Sequence, residues 1–112
     1  EGFYRKSCTS IDGGLTWSSP QISIDQIDCK CQGSILSIGG AVFLSNAASA
    51  TERINMTIKK STDNGKNWKG QYTVYEGNSG YSDIVELSDS QIAIIYEEKN
   101  DIRMDWHLKL LA

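Results

Sequence analysis

Apolar and polar residues alternate with a period of two along most of this chain. The segments "QISI" (21–24), "SILSI" (34–38), "AVFLS" (41–45), "INMTI" (54–58), "YTVY" (72–75), "DIVEL" (83–87), "IAIIY" (92–96) and "MDWHLKL" (104–110) are short and rich in β-branched and aromatic side chains. Such runs read as half-buried strands. Between them lie turn signals: "DGG" (12–14), Gly39–Gly40, "DNGK" (63–66), "EGNSGY" (76–81), "SDSQ" (88–91) and "KND" (99–101). Strands returning every 8–12 residues or so predict an all-β meander. No stretch carries a helical apolar stripe. Pro20 is the only proline, and it stands at the edge of a predicted strand.

A second period lies above the first. Ser10, Asp12, Gly14 and Trp17 return as Ser61, Asp63, Gly65 and Trp68, each displaced by 51 positions. A repeat of about fifty residues built of short strands predicts a β-propeller with one turn motif per blade. The motif has a mechanical reading. Aspartate accepts hydrogen bonds from backbone N–H groups two residues on, glycine permits positive φ at the reversal, serine bonds across the turn, and tryptophan folds back between strands. On that reading Asp12 and Asp63 are turn structure, not catalytic carboxylates. Residues 34–77 are expected to form one four-stranded antiparallel blade with Asp63 in its last turn. Two outer strands, "YRKSCTS" and "PQISI", precede it, and three strands follow.

Composition narrows the function. Hydrophobic residues make up 39% and charged residues 22% of 112, an ordinary globular balance for at most one domain. A net charge of −3 argues against a nucleic-acid surface. No apolar run approaches the roughly 20 residues of a membrane helix, so no membrane segment is expected. Three cysteines, Cys8, Cys29 and Cys31, are no disulfide framework and read as inert, half-buried thiols. Only His107 could join them around a metal, and no metal or cofactor is expected. The chain begins at Glu1 and runs directly into a strand, which suggests a piece of a longer protein.

The repeated motif, "SIDGGLTW" in full and "STDNGKNW" with Asn67 in place of threonine, resembles the Asp box of sialidases, which are six-bladed β-propellers. The segments "CQGSI" (31–35), "FLSNAAS" (43–49), "ERINMTIKKSTDNGKNW" (52–68), "GYSDIVEL" (80–87) and "IIYEE" (94–98) follow in the order found in the C-terminal third of exo-α-sialidases. The resemblance implies that residues 1–112 are a C-terminal fragment of such a propeller. They would form about two blades of antiparallel four-stranded sheets and depend on N-terminal blades as partners. It implies a retaining glycosidase acting on sialylated glycans or sialosides, and a secreted, periplasmic or cell-surface location. It assigns Arg53 as one of three arginines gripping the substrate carboxylate, Tyr81 as nucleophile, and Glu97 as the carboxylate that orients another of those arginines.

The residue types suit that chemistry. Arginine holds a carboxylate with a planar fork and stays charged at any working pH. A neutral phenol can approach an anionic sugar that would repel a carboxylate, and sialidases are known for this tyrosine nucleophile. A free phenol titrates near 10, so it needs a base. The resemblance assigns that base, the general acid and two further arginines to earlier blades. Arg5, close to the first Asp box, is a poor substitute for the second of those arginines. Each residue also has a plain reading: Arg53 as a strand-end charge, Tyr81 as a strand aromatic, Glu97 with Glu98 as a solvated pair. A non-catalytic Asp-box propeller that binds glycan or protein is the alternative function.

Overall fold

The computed structural model describes residues 3–87, 91–100 and 103–111, with side chains described as far as Glu98. Every element among the described residues is a strand: β1 (Tyr4–Ser7), β2 (Gln21–Ile27), β3 (Ser34–Ile38), β4 (Ala41–Ala47), β5 (Ile54–Ser61), β6 (Gly70–Glu86), β7 (Ile92–Asn100) and β8 (Arg103–Leu111). Strands β1 and β2 pair with each other, and β3 to β8 follow one another in antiparallel order. No helix among these residues is long and apolar enough to cross a membrane.

The expected blade is present. Strands β3, β4 and β5 and the first half of β6 form four antiparallel strands, with registers such as Leu36↔Phe43, Leu44↔Lys59 and Ile58↔Tyr72. Its turns follow local chemistry. Gly39 and Gly40, at φ 53° and 79°, reverse the chain between β3 and β4. Asp63 lies in the turn between β5 and β6. The second half of β6 starts the next sheet and pairs with β7, which pairs with β8. This is a partial β-propeller: two successive sheets, preceded by a two-stranded unit that carries the first Asp box between its strands.

Strand β6 departs from expectation. "EGNSGY" reads as a loop, yet it lies inside one 17-residue strand that serves both sheets. Up to Asn78 the strand pairs with β5, and from Ser79 it pairs with β7. The glycines here admit neighbours instead of turning the chain. The ring of Tyr75 lies where a Cβ on Gly77 would sit, and a Cβ on Gly80 would stand 2.5 Å from Glu97 Oε2. The "SDSQ" turn lies mostly outside the described residues.

The core forms where the two sheets face each other. Met56 and Ile94 are fully buried, and Ile58, Val74, Ile84, Ile92 and Tyr96 complete the cluster. Burying an aliphatic side chain of this size stabilises a fold by roughly 1.5–3 kcal/mol. The β1–β2 unit meets the blade through polar contacts instead. Lys59 Nζ donates to the Asp25 carbonyl at 2.7 Å, and Asn46 Nδ2 donates to the Ile27 carbonyl at 2.9 Å and to Asp28 Oδ2 at 3.2 Å. Burial holds the Lys59 ammonium below its ordinary range.

The two Asp boxes share one hydrogen-bond pattern. Ser10 Oγ donates to Asp12 Oδ1 at 2.7 Å and accepts from the Gly14 N–H at 2.8 Å. Ser61 repeats both bonds with Asp63 and Gly65, at 2.7 and 2.9 Å. The aspartates cap the N–H four residues on rather than two: Thr16 N–H to Asp12 at 2.9 Å, and Asn67 N–H to Asp63 at 2.8 Å. The longer reach comes from the serine, whose hydroxyl already receives the Asp and Gly N–H groups. Asn67 replaces threonine without loss, because its Nδ2 donates to Asp63 Oδ2 at 2.7 Å as Thr16 Oγ1 does to Asp12 Oδ2 at 2.6 Å. Trp17 stays 63% exposed instead of burying between strands. Its indole lies along Gly14 and donates to that residue's carbonyl at 3.1 Å.

Candidate active site

Three elements converge on Tyr81. Arg53 stands at the entrance to β5, where its carbonyl accepts the Ser79 N–H at 2.8 Å and so fastens β5 to β6 just before Tyr81. Its guanidinium lies over the Tyr81 ring, with Cζ 5.4 Å from the ring centroid. This is cation–π distance. The entry to β5 is irregular: Asn55 has a positive φ of 59°, and the register shifts between Ile54 and Met56. Such a bulge re-aims a strand end. Tyr81 is 44% exposed, so its ring is open to solvent while its backbone is held.

Glu97 reaches Tyr81 from β7. Its Oε2 accepts the Tyr81 N–H at 2.9 Å. Gly80 makes the approach possible, since a side chain there would collide with the same oxygen. Tyr81 lies within continuous β6, not at the start of a strand. The β6–β7 register breaks between Ser79 and Ser82, so the carboxylate takes a place that a ladder partner would otherwise fill. Arg53, Tyr81 and Glu97 thus come together at the junction between the two sheets.

Gln32, Gly33 and Ser34 border the same place, unmarked by any catalytic expectation. Ser34 Oγ donates to Asp83 Oδ1 at 2.6 Å and accepts the Ile84 N–H at 3.2 Å. Ser45 and Ser82 share a buried hydroxyl–hydroxyl bond of 2.8 Å. These contacts reach β6 from residues 37 to 50 positions earlier in the chain. Their trace in the sequence is that "CQGSI", "FLSNAAS" and "GYSDIVEL" all belong to the segments carrying the resemblance.

Arg5 has a structural position. Its Nε pairs with Asp28 Oδ2 at 2.7 Å, and its Nη2 donates to the Cys31 carbonyl at 2.6 Å. Cys29 and Cys31 lie in the loop between β2 and β3, not on a strand. Cys31 is buried and Cys29 half-buried, and burial pushes both thiols up. Cys8, expected half-buried, is exposed.

Residues 3–94 match the BNR repeat-like domain family. A sialidase of Micromonospora viridifaciens is 33% identical over 110 residues, covering 89% of this chain and 17% of the relative. A sialidase of Vibrio cholerae serotype O1 is 32% identical over 114 residues, covering 89% of this chain and 14% of the relative. The chain thus spans less than a fifth of either protein's length. Among solved structures, a leech intramolecular trans-sialidase complexed with 2,7-anhydro-Neu5Ac superposes on 96% of this chain and 20% of its own, with a TM-score of 0.78 and 25% identity. The chain belongs to the BNR repeat-like domain family, as a relative of the sialidases.

Proposed function

We propose that this chain supplies one face of the active site of a retaining exo-α-sialidase, which releases terminal sialic acid from glycoconjugates. The observation that carries the reading is the Arg53 guanidinium seated over the Tyr81 ring at 5.4 Å. In the proposed reaction the Tyr81 phenolic oxygen attacks the anomeric carbon as the glycosidic bond breaks. A general acid protonates the departing hydroxyl. Water then cleaves the glycosyl–tyrosine bond from the same face, so the configuration is retained. Arg53 holds the substrate carboxylate beside that carbon. Glu97 keeps one oxygen on the Tyr81 N–H and offers the other to a second substrate-binding arginine.

The general acid, the base that activates Tyr81 and the remaining arginines have no matched position in these 112 residues. General acid–base groups each contribute on the order of 10²–10⁴-fold. The isolated 112-residue chain is therefore expected not to turn over a fluorogenic sialoside, and turnover near that of an intact sialidase would contradict the reading. The decisive test uses the full-length protein. Tyr81→Phe removes one oxygen and little packing, so retaining turnover should vanish while the fold persists. Arg53→Lys loses the two-pronged grip, so KM should rise far more than kcat falls. Unchanged kcat with retained stereochemistry in Tyr81→Phe would exclude the tyrosine as nucleophile, whereas a full-length parent that binds a sialoside without turning it over would favour a non-catalytic glycan-binding propeller.

A further inference from the structure

The carboxamide of Gln32 faces the backbone of Ser82, next to Tyr81, and bonds both its N–H and its carbonyl. Its Oε1 accepts the Ser82 N–H at 2.9 Å, and its Nε2 donates to the Ser82 carbonyl at 3.0 Å. Only one orientation of the amide satisfies both bonds. The pair imitates a rung of a β-ladder on the edge of β6 away from β7, where Ser34 takes the Ile84 N–H in the same manner. At this point the β6–β7 ladder is itself broken, between Ser79 and Ser82. The backbone on either side of the Tyr81 side chain is therefore held by side chains, Glu97 from one edge and Gln32 from the other.

The loop that presents Gln32 is fixed in turn. Asp28 Oδ1 accepts the N–H groups of Lys30 and Cys31, at 2.5 and 3.2 Å, and Lys30 has a positive φ of 65°. Arg5 clamps the Cys31 carbonyl. Gly33 lies so close to β4 that a Cβ there would stand 2.5 Å from the Ser45 carbonyl oxygen. A solvated glutamine would need none of this.

We infer that Gln32 is a positioning residue, which fixes the Ser82 backbone and through it the Tyr81 phenol in its reacting position. The inference rests on the reading of Tyr81 as nucleophile. Misplacing a reacting group by about 1 Å can cost on the order of 10²-fold in rate. The test compares Gln32→Ala, Gln32→Glu and Tyr81→Phe in the full-length protein with a fluorogenic sialoside, each rate scaled to folded enzyme. Gln32→Ala should lower kcat about 10- to 100-fold with KM within about threefold. Gln32→Glu keeps the shape but, when ionised, sets a carboxylate against the Ser82 carbonyl. Its kcat relative to the parent should rise as pH falls through the usual glutamate range near 4.3, where the carboxyl regains a proton to donate. A merely structural role would lower the folded fraction and Tm but leave kcat per folded molecule and the pH ratio unchanged. That result, with Tyr81→Phe inactive, overturns the inference alone. A fully active Tyr81→Phe overturns both readings. If Gln32→Ala does not fold, the isosteric Gln32→Glu decides.

Discussion

Each Asp-box aspartate gathers three hydrogen bonds onto one carboxylate, exposed in Asp12 and half-buried in Asp63. The Thr16 hydroxyl, the Thr16 N–H and Ser10, in that order, hold Asp12 at about 2, down from an ordinary 3.8. The Asn67 side chain, the Asn67 N–H and Ser61 hold Asp63 well below the usual carboxylate range. Because both pKa values are lowered in the folded state, the stabilisation is complete above the unfolded value and lost as pH falls below it. Tm should therefore drop between about pH 4 and pH 2, and Asp12→Asn with Asp63→Asn should lower Tm at neutral pH and flatten that acid limb. An unchanged limb in the double variant would mean that the boxes do not govern acid stability. These bonds lie within seven residues of one another, which is why the repeat made them legible. Arg53, Tyr81 and Glu97 were legible only through the ordered family segments, since no local pattern links 53, 81 and 97. Gln32 was not legible, because its partners are the backbone N–H and carbonyl of Ser82, and backbone groups have no residue type to recognise.

At the level of elements, the strands were readable where side chains alternate and misread where glycines gather. "SILSI" became β3 without a change of boundary, whereas "EGNSGY" was absorbed into β6. Glycine marks both turns and close approaches, and composition alone does not separate the two. The contacts do, and they predict opposite outcomes for two alanine substitutions. At Gly80 the added methyl meets the far end of the Glu97 side chain, which can swing aside. Gly80→Ala in the full-length protein should keep its Tm within a few degrees but lose about tenfold in kcat as the Tyr81 N–H loses its acceptor. At Gly33 the methyl meets the Ser45 backbone, which cannot. Gly33→Ala should cost about 1–3 kcal/mol, read by denaturant unfolding. Equal behaviour of the two variants would refute the distinction.

On the scale of the whole molecule, the apolar core seals one sheet against the next, while the other surfaces carry exposed apolar side chains. Ile24 and Ile22 on β2 and Ile35 on β3 are 75%, 56% and 65% exposed. Sheets with such surfaces and unpaired edges invite edge-to-edge association. The isolated 112 residues should accordingly self-associate in sedimentation or light-scattering measurements, and a stable monomer at micromolar concentration would speak against this. The shared strand β6 also decides where this architecture can be cut. A new pair of chain termini between Asn78 and Ser79, although it respects the sheet boundary, would sever the backbone common to both sheets and detach Arg53 from Tyr81. Termini opened at Gly39–Gly40 would interrupt only a surface hairpin. For circular permutation or the grafting of repeats, the exchangeable module therefore runs from hairpin to hairpin, and the blade is not its unit.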